Sequence, residues 1–152
     1  MSEVRLRYWD VAPASMQKLR DLEHYLNTES GLDYVLRELV KLRASQLNGC
    51  VYCVNTHTGE LQKAGVSAEK IGDVAEWRNS SAYSQRERAA LSWTEVVTNI
   101  QDGHAPDAVY EEVRAAFSEP EIVNLTLVIG TINVWNRLSI SLGKQPEIEV
   151  QD

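Results

Sequence analysis

Cys50 and Cys53 are the two cysteines of a 152-residue chain, and His57 stands four residues after the second in the run C50-V-Y-C-V-N-T-H57. A thiolate is the nucleophilic form of cysteine, a second thiol can resolve an oxidised sulfur by closing a disulfide, and neutral imidazole near pH 7 can take a thiol proton. These are the parts that thiol peroxidase or disulfide-exchange chemistry requires. On a helix, offsets of three and seven residues bring Cys53 and His57 to within about 60° and about 20° of Cys50, so all three share one face.

The preceding Asn48-Gly49 breaks the helical pattern and places both cysteines in the first turn of a new helix. Unpaired N–H groups and the positive end of the helix dipole favour a thiolate there, and this reasoning activates either sulfur. Two other readings compete. Free cysteine often packs as a small buried hydrophobe. Zinc would need further ligands, commonly a second pair, and the remaining histidines, His24 and His104, are isolated.

The elements that must position these residues read as helices. Met16, Leu19, Leu22 and Leu26 mark an amphipathic helix at about 14–27, closed by "TESG" (28–31). Asp33 can cap a second, with Val35, Leu36, Leu39, Val40, Leu42 and Leu47 as its apolar positions. The third runs from Cys50 to about Lys63, ended by Gly65, and Ser67 opens a short fourth through Ile71, Val74 and Trp77. "SQRE" (84–87) and "SEPE" (118–121) have the form of capping boxes before apolar runs, and "PDAVYEEVRAAF" (106–117) fills the gap between them. Period-two alternation is scarce, so the expectation is one all-α domain over 1–152 with about six to seven helices.

Composition narrows the function classes. With 15 basic against 22 acidic residues, a net charge of −7 and no basic run, a nucleic-acid surface has no electrostatic support. The N-terminal stretch has charges through its middle and no apolar core, so it does not read as a signal peptide, and a cytoplasmic protein is expected. The apolar stretch 122–142 is interrupted by Asn124, Asn133, Asn136 and Arg137, which predicts a buried or subunit-facing helix and no membrane span. In a reducing compartment a cysteine pair points to redox chemistry before structural cross-linking.

The segment "ELVKLRASQLNGCVYCVNTHTGELQKAG" (38–65) resembles the core motif of the AhpD-like alkylhydroperoxidases, within the carboxymuconolactone decarboxylase family. Glu38 stands twelve residues before Cys50, as the motif's glutamate does before its first cysteine, and Cys50, Cys53 and His57 match the rest. "FSEPEIVNLTLVIGTINVWNRLSISL" (117–142), with its Asn133-Val134-Trp135-Asn136-Arg137 run, is similar to the C-terminal helix of single-domain members.

The resemblance implies an all-helical fold assembled as a homo-trimer or homo-hexamer, and a peroxidase cycle of antioxidant defence. Cys53 would attack a hydroperoxide, Cys50 would resolve it, and Glu38 and His57 would relay protons. No bound cofactor is implied, and dihydrolipoamide, carried by a lipoylated protein, or another thiol would supply electrons. Taken by itself, Glu38 reads as an ordinary solvated carboxylate in the charged run Arg37, Glu38, Lys41. The best-known member has a second histidine between its cysteines, where this chain has Tyr52, a poor base at neutral pH whose hydroxyl can still bridge a hydrogen bond. True muconolactone decarboxylases in the family lack the paired cysteines. A non-catalytic redox sensor that keeps the pair as a switch, or a decarboxylase-type enzyme, are the alternative functions. Asn133, Trp135, Asn136 and Arg137 are expected to knit helices or subunits, with a pocket-lining role open to Trp135.

Overall fold

The structure, a computed structural model, describes residues 4–143. Its elements are α1 (Tyr8–Val11), α2 (Pro13–Glu29), α3 (Tyr34–Asn48), α4 (Val51–Lys63), α5 (Ala68–Gly72), a 3₁₀ helix (Val74–Asn79), α6 (Gln85–Thr98), α7 (Asp107–Ala116) and α8 (Glu119–Leu142). All are helical, as the hydrophobic period predicts. The count exceeds the expected six to seven because a one-turn α1 precedes the rest and the expected fourth helix divides at Asp73 into α5 and the 3₁₀ helix.

Local chemistry sets the helix starts. Asp33 accepts from the Leu36 N–H at 3.2 Å, and Ser67 accepts from the Lys70 N–H at 3.2 Å. Ser84 with Glu87 and Ser118 with Glu121 form the two expected capping boxes, the second with Pro120 in the first turn of α8, where its missing N–H is harmless.

α3 is the hub, packed against α4, α6 and α8. Leu36 and Val40 join Leu26, Trp93, Leu125, Val128 and Ile129 in one core cluster, while Leu39 and Leu42 join Leu61, Val74, Trp77 and Leu91 in another. A helix with apolar partners on two faces has little surface left for water. Arg37, Glu38 and Lys41 are therefore carried into the interior, at 7%, 4% and 7% exposure. This corrects the solvated reading of that run.

α8 is long enough at 24 residues to raise the membrane question. Among the described residues no helix is long and apolar enough to cross a membrane. One side of α8 buries Leu125, Val128, Ile129 and Ile132; Val123, Leu127 and Val134 stay exposed.

Candidate active site

The site begins at the corner between α3 and α4. Gly49 adopts φ +71°, the left-handed conformation that ends a helix and that a side chain would disfavour. The chain turns there, and Cys50 becomes the N-cap of α4: its Sγ accepts from the Cys53 N–H at 3.3 Å, and its own N–H donates to the Ser45 carbonyl at 3.0 Å. Cys50 and Cys53 are joined by a disulfide, and both are buried. The sulfurs thus sit at the positive end of the α4 dipole, as the Asn-Gly break predicts.

A partly buried amide network pins this corner to α8. Asn48 Nδ2 donates to the Oδ1 atoms of Asn133 and Asn136, each at 2.9 Å, and Asn136 Nδ2 donates to Ser45 Oγ at 3.0 Å. Asn133 Nδ2 donates in turn to Thr98 Oγ1 on α6 at 3.1 Å, and Arg137 Nη1 donates to Asn133 Oδ1 at 2.7 Å. Asn133 and Asn136 thereby join helices of one chain. Trp135 stacks on Trp9, with ring centroids 6.0 Å apart.

One turn after Cys53 on α4, His57 faces α3. Its Nδ1 lies 2.6 Å from Glu38 Oε2. A carboxylate only accepts, so Nδ1 donates and Nε2 is the acceptor of the neutral ring. Glu38 Oε1 receives the Lys41 ammonium at 3.1 Å, and Lys41 lies 3.7 Å from Glu23 on α2. Burial by itself would raise the Glu38 pKa, yet the hydrogen bond from His57 and the charge of Lys41 outweigh it and hold the carboxyl below its ordinary range.

The structure thus links Glu38 to His57 directly and Cys50 to Cys53 covalently, while α4 carries Cys53 and His57 on successive turns. Tyr52 is 40% exposed, which suits a residue on the outer side of that first turn. Among the described residues no group of three or more His, Cys, Asp or Glu is placed to hold a metal.

Three neighbours of the site escaped sequence reasoning. Lys41 had a signal, since it lies three residues after Glu38 on one helical face. Ser139 approaches Cys53 from α8, with Oγ 3.9 Å from Sγ, and Tyr8 is buried on the N-terminal segment whose Arg5 and Leu6 N–H groups donate to the Leu142 carbonyl of α8. Neither had one, because 86 residues separate Ser139 from Cys53 and only packing brings them together.

A model of the carboxymuconolactone decarboxylase family matches residues 13–96, a span that includes Glu38, Cys50, Cys53 and His57. The chain is 38% identical over 141 residues to the uncharacterised protein YdfG of Bacillus subtilis, covering 93% of this chain and 95% of that one. It is 28% identical over 138 residues to the uncharacterised protein YnjA of Escherichia coli, covering 90% and 75%. Among solved structures, a protein of unknown function from Agrobacterium tumefaciens, proposed to be an antioxidant defence protein AhpD, superposes with a TM-score of 0.89 at 39% identity, over 96% of this chain and all of that one.

Proposed function

Since this chain belongs to the carboxymuconolactone decarboxylase family, we propose that it is a thiol-dependent peroxidase of the alkylhydroperoxidase type, with Cys53 as nucleophile, Cys50 as resolving thiol, and Glu38 and His57 as a proton relay. The observation that carries the reading is the buried Glu38–His57 hydrogen bond on the same helix pair that presents the cysteine pair at a helix start. A histidine held in one tautomer by a buried carboxylate, one turn after the cysteine pair, keeps its Nε2 as a proton acceptor.

In the cycle, the Cys53 thiolate attacks one peroxide oxygen. The S–O bond forms, the O–O bond breaks, and the departing alkoxide takes a proton relayed from His57. Cys50 then attacks the Cys53 sulfenic acid, the S–S bond forms, and water leaves with a proton. The Cys50–Cys53 disulfide is the state this sequence reaches. An external dithiol returns two electrons and two protons. Dihydrolipoamide, free or on a lipoylated protein, is the donor proposed.

The cysteine pair separates this reading from lactone decarboxylation, which needs no paired thiols. The exposed apolar residues Val123, Leu127 and Val134 on α8 support assembly of the chain as a homo-trimer or homo-hexamer, because exposed apolar stripes commonly mark subunit contacts. A reducing cytoplasm would supply the dithiol. The test is turnover of an organic hydroperoxide with dihydrolipoamide: the native chain turns over and Cys53→Ser does not, whereas turnover retained by Cys53→Ser removes the assignment.

A further inference from the structure

The flank of Cys53 that meets α8 carries a hydroxyl the cycle above leaves unused. Ser139 Oγ lies 3.9 Å from Cys53 Sγ, and each residue is 4% exposed. A disulfide sulfur has no proton to give, so the hydroxyl donates and the sulfur accepts.

The fold holds this flank in place. The N–H groups of Arg5 and Leu6 donate to the Leu142 carbonyl at 2.8 and 3.2 Å, and Trp9 stacks on Trp135, so the segment carrying Tyr8 is strapped to the C-terminal half of α8. α8 in turn packs on α4. A thiolate enclosed in such surroundings loses its water, and each hydrogen bond donated to it replaces part of that solvation. The α4 N-terminus supplies some of this; a hydroxyl aimed at Sγ supplies more.

We propose that Ser139 is a further catalytic residue, whose hydroxyl donates a hydrogen bond to the Cys53 thiolate. The inference rests on the thiol reading proposed above. Ser139 loses no proton in the cycle: it stabilises the charged sulfur before attack, and the proton for the departing alkoxide comes by the His57 route. The other titratable groups of the site on the elements around Cys53 are His57 and Tyr52 on α4 and Glu38 and Lys41 on α3; Tyr34 bonds Glu60, Arg37 the Leu32 carbonyl, Arg43 Glu95, Lys63 Glu60 and Arg137 Asn133.

The experiment follows the pH dependence of Cys53 alkylation in full-length, reduced protein carrying Cys50→Ala, which leaves one cysteine to titrate. Ser139→Ala should move that titration up by about one unit, leaving roughly a tenth of the thiolate at a pH below both values. Ser139→Thr, which keeps the hydroxyl, should titrate near the starting protein, and it replaces Ser139→Ala as the informative variant if the alanine chain fails to fold. In protein that retains Cys50, the slower peroxide reaction of Ser139→Ala should recover at alkaline pH, which a packing defect would not do.

An unchanged titration in folded Ser139→Ala, or one displaced as far in Ser139→Thr as in Ser139→Ala, overturns the assignment of Ser139. A native chain that turns over no hydroperoxide overturns the peroxidase reading instead, and the titration still decides the hydrogen bond.

Discussion

His57 Nδ1 and Glu38 Oε2 stand 2.6 Å apart, across the two helices that meet at Gly49. The carboxylate fixes which ring nitrogen carries the proton, and Lys41 keeps that carboxylate charged in the interior. The relay is therefore a buried, charge-balanced unit whose parts fail in different ways.

Glu38→Gln should lower peroxide turnover by about 10- to 100-fold with little change in KM, because the amide can face His57 with either its oxygen or its NH₂ and no longer selects one tautomer. Steady-state kinetics against a single hydroperoxide checks it. An unchanged kcat would remove Glu38 from the relay.

Acidification should weaken the fold through Glu38. Its folded pKa lies below its unfolded one, so the stability it contributes is complete above the ordinary carboxylate range and disappears as pH falls through the folded value. Denaturant midpoints of the native chain and Glu38→Gln should differ at neutral pH and converge as the pH drops below about 4.

Cys50→Ser should arrest the cycle after attack. Peroxide treatment is expected to leave one added oxygen on Cys53, visible by intact mass and trapped by a sulfenic-acid reagent. If the oxygen instead appears in Cys53→Ser and not here, the two sulfurs exchange roles.

Lys41→Met should destabilise the fold by about 3 kcal/mol, since it leaves the buried Glu38 charge with only His57 as partner. Adding Glu38→Gln to Lys41→Met should restore part of the loss. Urea unfolding of the single and double variants measures the coupling, and strictly additive losses would show that the two side chains do not share a charge.

Asn136→Ala should cost about 2 kcal/mol by leaving the buried Ser45 hydroxyl without its Asn136 donor and the half-buried Asn48 amide with Asn133 alone. The same variant should slow disulfide closure, because the network holds the turn that aligns Cys50 with Cys53. Urea unfolding and the rate of thiol loss after a peroxide pulse check the two effects separately.

The chain's own residues determined much of this protein. Hydrophobic spacing and turn residues were enough for the all-α architecture, both capping boxes and the helix break before Cys50, because each is set by contacts within a few residues. The same locality put Cys50, Cys53 and His57 on one helical face. Burial of Glu38 was decided elsewhere. A carboxylate between Arg37 and Lys41 looks solvated in one dimension, and only the packing of α3 against three other helices turns it into a buried partner for His57. Ser139 reaches Cys53 across 86 residues of chain, and Tyr8 is buried from the opposite end of the chain. No periodicity records such meetings, since they depend on the crossing of α8 over α4 and on a one-turn helix that has no strong signal of its own. Sequence determined which groups could react; tertiary packing decided how dry, how charged and how well oriented they are.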